Sequence, residues 1–377
     1  MTEKLYEQDQ YLKTFKAKVL SCDKTQNGFS VVLDKTAFFP EGGGQASDIG
    51  NLENATVSDV TIKNGTIYHC TDKPFETGDT VCGKIDFERR FSFMQNHTGE
   101  HIVSGITHRL HGLNNVGFHL GEDFVTLDFD DVLTRTQLDE IEYLANEKVW
   151  QNLPVRAYYP NEQELKNISY RSKKEIDGAI RLVEISYTDI CACCAPHVKN
   201  TGEIGIIKLL DFERMRGGVR ILLKCGKFAL NDYRSKYENV YEISNMLSAK
   251  QNDAAQAVEL LNRKLNDEKH RNSQLSAKLC ELIVNFADKN TNCLFTEGLS
   301  MREIQFAADK LHKIHGGIKG VFNKDKNGYS FAICGDVGIL DEFFTKLKSE
   351  LQLNGGGRNG MVQGFTNADA DKIKMHF

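Results

Sequence analysis

Two short cassettes hold the residues of this chain best suited to chemistry: His97-Thr98-Gly99-Glu100-His101 and Cys193-Cys194-Ala195-Pro196-His197. Each sets two metal-binding side chains four residues apart. Neutral imidazole and thiolate are the donors that hold Zn²⁺. On a helix, positions i and i+4 share a face, so His97 and His101 can converge on one ion. The first cassette also reads H-x-x-E-H, a peptidase pattern in which the glutamate serves as general base. That reading needs a carboxylate as third ligand, and Glu175 or Glu184 would supply it.

The elements that must position these residues are legible in outline. Residues 14–86 alternate apolar and polar positions between breaks such as Asn27-Gly28 and Asn64-Gly65, the pattern of short strands in a small β-barrel. A helix is expected from about Glu88 to His111, ending at Gly112 and carrying the first cassette. Helix and strand then alternate through the second cassette, an α+β arrangement. From about Asn231 to Phe286 the chain turns polar and helical. Val240, Leu247, Ala254, Leu261, Leu275 and Leu282 form one seven-residue row, with Glu268 in its gap. A second row runs Tyr237, Ser244, Gln251, Val258, Leu265, Asn272, Leu279 and Phe286. These rows predict a long helix of roughly 80 Å in an imperfect coiled coil, within one chain or between two. Residues 288–377 read as an α/β domain ending in the glycine-rich segment NGGGRNGMVQG.

Bulk properties narrow the class. The 377 residues are 40% hydrophobic and 26% charged, which suits two or three globular domains. All five prolines fall in the first 196 residues, which marks a change of architecture after them. No apolar run approaches the ~20 residues of a membrane span. The N-terminus lacks a charged-then-apolar leader, so a cytoplasmic protein is expected. Ten irregularly spaced cysteines suit a reducing compartment and a metal better than a disulfide framework. A net charge of −5 excludes a strongly basic coat, though not a local basic patch.

The flanks of the cassettes add a resemblance. Asp34-Lys35-Thr36-Ala37-Phe38-Phe39-Pro40-Glu41-Gly42-Gly43-Gly44-Gln45, then Arg89 to His97, then Asp189 to Val198 with Asn200-Thr201-Gly202-Glu203-Ile204-Gly205, follow in that order. Gly217-Gly218-Val219-Arg220 and Asn354 to Gly364 complete the set. Together they resemble the editing half of alanyl-tRNA synthetase and the free-standing alanyl-tRNA deacylases, over nearly the whole chain. The resemblance implies a β-barrel domain at 1–87, a zinc-binding editing domain at 88–229, a helical or coiled-coil segment at 230–287, and a C-terminal glycine-rich domain for tRNA binding or dimerisation at 288–377. With no room upstream for an aminoacylation domain, it implies hydrolysis in trans of tRNA(Ala) mischarged with Ser or Gly, by a homodimer.

Residue roles follow the same resemblance. His97, His101, Cys193 and His197 match the four zinc ligands, leaving Cys191 and Cys194 as packing residues. Glu100 is a candidate general base on chemical grounds. Gln45, Gly117 and His119 are candidates to bind the serine hydroxyl. Within residues 199–228, seven Lys and Arg face three acids, and Arg216 and Arg220 are candidate RNA contacts. Gly356 and Arg358 are candidates in the glycine-rich tail. The second cassette also resembles the threonyl-tRNA synthetase editing domain, and a non-catalytic tRNA-binding module with structural zinc is the remaining alternative. The TAFFPEGGGQ segment and the glycine-rich tail favour the alanyl type.

Overall fold

The computed structural model describes residues 2–121, 124–172 and 178–377. Glu175, nominated above as a peptidase ligand, lies outside them. The chain is a mixture of helices and sheets divided into two compact units, 1–239 and 240–377.

The first unit opens with six strands that pair in a closed ring: Thr14–Thr25, Gly28–Leu33, Thr66–Thr71, Ala55–Lys63, Gly50–Leu52 and Thr80–Ile85. Alternation sets the inward face, so that Phe15, Ala17 and Val19 of the first strand are buried while their neighbours face solvent. The ring's core also takes in Phe38 and Phe39 from the loop at 37–48. That loop is tied to the next helix by a buried ion pair. Arg90, 0% exposed, donates to Asp48 through Nε at 2.9 Å and also through Nη2. Arg90 further donates to the carbonyls of Ala37 (2.7 Å) and Gln10 (3.1 Å), and Asp48 accepts from the Phe39 backbone N–H at 2.6 Å.

The Phe87–His111 helix starts at Asp86, whose side chain accepts from the Arg89 N–H, and stops at left-handed Gly112. Its middle, from Phe93 to Thr107, is wholly buried. It packs among the Arg135–Trp150 helix, a four-stranded sheet that includes Asn115–Leu120, Val125–Phe129 and Gly218–Cys225, and a three-stranded sheet of Val155–Tyr158, Leu182–Ile185 and Asp189–Ala192.

The single helix expected across 231–286 is corrected by the structure. Gly226–Met246 and Ala254–Phe286 are separate helices, with Ser248 at φ +50° and a short 3₁₀ turn at Gln251–Asp253 between them. Ser248, Asn252 and Asp253 explain the break, because such side chains compete for backbone hydrogen bonds and favour caps and turns. The longer helix has 33 residues, or about 50 Å.

In the second unit a five-stranded sheet carries the Met301–His315 crossover helix between the parallel strands Cys293–Glu297 and Lys319–Asp325. The glycine-rich tail is a hairpin: Asn354–Arg358 and Met361–Thr366 pair antiparallel around a two-residue turn. Asn354–Arg358 is the sheet edge and is exposed throughout, which places Gly356 and Arg358 in solvent.

Candidate metal centre and substrate cavity

His97 and His101 project from one face of the buried helix, with ring centroids 5.4 Å apart. The hairpin of Leu182–Ile185 and Asp189–Ala192 delivers the second cassette to that face. Arg181 fixes the cassette backbone, donating to the carbonyls of Cys193 (2.8 Å) and Ala195 (3.0 Å). The Gln10 side chain accepts from the His197 backbone N–H. One ligand atom from each of His97, His101, Cys193 and His197 then lies within 4.8 Å of the others.

The spacing suits a metal. Bonds of about 2.3 Å to sulfur and 2.0 Å to nitrogen at a tetrahedral angle put S and N about 3.5 Å apart. Cys193 Sγ lies 3.5 Å from His97 Nε2 and 3.4 Å from His197 Nε2. Each histidine is also oriented through its other nitrogen. His97 Nδ1 donates to Gln45 Oε1 at 2.9 Å, and His101 Nδ1 lies 3.2 Å from Asp189 Oδ2. Thr98 Oγ1 donates to the Met94 carbonyl, so its oxygen accepts from His197 Nδ1 at 3.1 Å. Such outer partners fix tautomer and ring direction, leaving the Nε2 lone pairs for the ion. Burial pushes the Cys193 thiol up, so a metal that takes its thiolate must displace a proton. Burial alone would raise the Asp189 carboxyl, but hydrogen bonds from His101 and Arg171 outweigh it and hold the carboxyl low. Arg171 grips Asp189 with two bonds of 2.7 and 2.8 Å.

Two glycines make this assembly possible. Gly44, at φ +83°, presses its loop so close to the Asn115–Leu120 strand that a Cβ would meet the Phe118 carbonyl at 2.6 Å. That approach brings Gln45 to His97. Gly105 sits inside the helix, where glycine costs about 1 kcal/mol relative to alanine. A Cβ there would meet the Thr188 carbonyl at 2.7 Å and Asp189 Cβ at 2.8 Å, so its absence lets Asp189 reach His101.

The ligand set opens into a cavity of about 630 Å³ lined by Gly43, Gly44, Gly117, Phe118, Ser172, Tyr159 and Arg181, among others. Of the three residues expected to bind substrate, Gly117 alone is in its wall. Gln45 is 0% exposed and acts on His97, and His119 is exposed on the strand face opposite Phe118, whose ring lies against His97. Glu100 is fully buried and is not among the residues of the cavity wall; its Oε1 accepts from Ser104 Oγ and Asn115 Nδ2, both at 2.7 Å, while its Oε2 stands 3.7 Å from His101 Nε2. Glu184, the other peptidase nominee, stands on the Leu182–Ile185 strand outside the ligand cluster.

The basic stretch at 199–228 is largely neutralised by acids from elsewhere. Lys208 pairs with Glu142 (2.6 Å), Lys224 with Asp232 (3.1 Å), Lys227 with Glu88 and Lys199 with Asp9 (4.0 Å). Arg220 makes two 2.7 Å bonds to Asp128 across adjacent strands, which raises its pKa and ties it to the sheet. Arg216, in the exposed turn before Gly218, has no ion pair among the described residues.

Comparison with known proteins agrees with this geometry. Residues 180–221 match the model of the threonyl and alanyl tRNA synthetase second additional domain, and residues 5–89 match that of class II (A) tRNA synthetases. The alanyl-tRNA editing protein AlaX-L of Pyrococcus horikoshii is 27% identical over 99% of this chain and 96% of its own. Over nearly its whole length this chain is similar to an alanyl-tRNA editing protein. The alanine–tRNA ligase of Pyrococcus furiosus is 31% identical over 99% of this chain but 43% of its own length. That of Halorubrum lacusprofundi is 33% identical over 68% of this chain and 29% of its own. The chain thus spans less than half of the ligases it matches. Both cassettes, including the segment around Cys193 and His197 that the first model covers, meet at one centre. No helix among the described residues is long and apolar enough to cross a membrane.

Proposed function

We propose that this chain is an aminoacyl-tRNA deacylase that hydrolyses Ser-tRNA(Ala), and Gly-tRNA(Ala) as a second substrate, in trans and in the cytoplasm. The observation that carries the proposal is the convergence of four potential ligand atoms, each histidine held through its other nitrogen, with His97, His101 and Cys193 lining an open cavity. His97, His101, Cys193 and His197 would hold Zn²⁺, which when bound supplies Lewis-acid polarisation of the ester carbonyl. The chain's own residues do the rest. Gln45, Asp189 and Thr98 keep the imidazoles in register, and Phe118, whose ring lies 4.7 Å from that of His97, shields one side of the centre from water. Gly44 and Gly117 leave backbone in the wall where a side chain would narrow the cavity.

Selectivity for serine needs only one well-placed polar group in the cavity wall. A cavity that pairs the serine hydroxyl leaves buried groups unpaired when alanine enters, and so spares the correct product. With the Zn²⁺-loaded chain, Ser-tRNA(Ala) should lose its amino acid at least about 100-fold faster than spontaneously, while Ala-tRNA(Ala) persists. Decay of Ser-tRNA(Ala) at the no-enzyme rate would sink the proposal and leave a tRNA-binding module with structural zinc. Preferential clearance of Ser-tRNA(Thr) would move it to the threonyl type. Arg216, Gly356 and Arg358, all exposed, are the residues proposed to meet the RNA.

We also propose that a second copy of the chain pairs along the Ala254–Phe286 helix, with the C-terminal domain contributing. Val258, Leu261, Leu265, Leu275, Leu279 and Leu282 recur at alternating three- and four-residue steps apart from the polar centre at Glu268 and Asn272, and each is 41–56% exposed. Only Cys280 and Val284 of this helix are buried. A seam of that period is what a paired helix covers. Light scattering should give a dimer for the full chain and a monomer for the double variant Leu275→Glu/Leu282→Glu; a monomeric parent protein would refute the pairing.

A further inference from the structure

The cavity differs in chemistry between its ends. The inner end carries His97, His101 and Cys193, with both histidines 1% exposed. The outer end carries Lys4, Glu7 and Tyr159, which contribute nothing to the ligand set. Glu7 lies on the short Leu5–Gln8 helix, whereas Tyr159 follows the Val155–Tyr158 strand. The two meet at the rim, where Tyr159 Oη donates to Glu7 Oε2 at 2.9 Å and Lys4 Nζ donates to Glu7 Oε1 at 3.1 Å. A carboxylate offers about four lone-pair sites, so two remain for a ligand. The Tyr159 phenol is pushed up to about 12 by partial burial and by Glu7, so it remains a donor at neutral pH and its ring stays half exposed.

A three-carbon acyl group fills little of a cavity of about 630 Å³. Its carbonyl must sit at the ligand cluster, so the nucleoside that carries it occupies the outer end. There a carboxylate, which only accepts hydrogen bonds, meets a ribose whose free hydroxyl is a donor. An exposed aromatic ring beside it offers a face on which any base can stack.

We infer that Glu7 and Tyr159 form a nucleoside subsite: Glu7 accepts a hydrogen bond from the ribose hydroxyl beside the scissile ester, and the Tyr159 ring packs on the base. The inference rests on the deacylase reading above. The hydrogen bond from Lys4 Nζ to Glu7 Oε1 fixes the direction of the carboxylate at the cavity rim.

The test uses the Zn²⁺-loaded full chain and two non-hydrolysable probes, 3′-serylamino-3′-deoxyadenosine and the same compound lacking its 2′-hydroxyl, measured by calorimetry. Loss of the hydroxyl should weaken binding to the parent protein about tenfold, and to Glu7→Ala, which has no side-chain acceptor, by less than about twofold. Tyr159→Ala should weaken both probes alike, by about tenfold, with metal content unchanged. An equal hydroxyl penalty in the parent and Glu7→Ala would overturn the subsite, as would a parent that deacylates Ser-tRNA(Ala) yet binds both probes equally. A parent that neither binds the probes nor deacylates would remove the deacylase reading and the subsite with it.

Discussion

Cys193→Ala is expected to leave a folded protein that no longer retains stoichiometric metal and has lost deacylation by on the order of 10³-fold, about 4 kcal/mol of transition-state stabilisation. The size follows from the ligand's place. Cys193 Sγ is within 3.5 Å of both His97 Nε2 and His197 Nε2; among the described residues the other thiol near a ligand, Cys191, groups with His101 and Asp189 and not with all three histidines. Cys194, the neighbour in sequence, is exposed, so a shift of ligand by one residue would require the cassette to unwind from Arg181. Metal analysis after dialysis, with circular dichroism to verify the fold, gives the result directly. The outer partners should show a smaller effect: Gln45→Ala and Asp189→Asn each weaken metal affinity by about 10- to 100-fold. A Cys193→Ala protein that keeps one tightly held ion would exclude Cys193 as a ligand.

The largest stability effect is expected at Asp48. Asp48→Ala leaves the Arg90 guanidinium, 0% exposed, without its counter-charge. Breaking a buried ion pair from one side costs about 3–5 kcal/mol, because the remaining charge is uncompensated. It also strips the Phe39 backbone N–H of its acceptor. Against a typical stability of about 5–15 kcal/mol that loss is severe. Urea unfolding should show the midpoint falling accordingly, and Asp48→Ala/Arg90→Met should recover part of it. Metal affinity should fall as well, since Asp48 closes the loop that carries Gly44 and Gln45. A loss below about 1 kcal/mol would mean that the pair is not desolvated in solution.

Both predictions join residues that the sequence presents differently. The four candidate metal ligands were legible because each pair is local: four-residue spacing on a helix places His97 and His101 together, and the short cassette does the same for Cys193 and His197. The family motifs then supplied the one long-range link between them. Gln45, by contrast, was expected to touch substrate and instead orients His97, a partner 52 residues away. Glu100 drew attention by its place between two ligands, yet its direction is set by Ser104 and Asn115. His119 was separated from the cavity by strand alternation, which a one-residue uncertainty in register would reverse.

Charge shows the same division. Counting residues 199–228 alone gives a basic patch, but Glu142, Asp128, Asp232, Glu88 and Asp9, all outside that stretch, neutralise much of it. The heptad rows likewise continued through Ser248 to Asp253, where local hydrogen-bonding preference broke the helix.

By itself, the sequence determined which side chains can bind a metal and in what local geometry, because spacing along a helix or within a tight turn is a property of neighbouring residues. Only the tertiary structure decided what holds those ligands in place, which charges remain unpaired and which polar groups face the cavity. Those depend on contacts between residues tens to more than a hundred positions apart, brought together by burial and by close approaches such as those at Gly44 and Gly105.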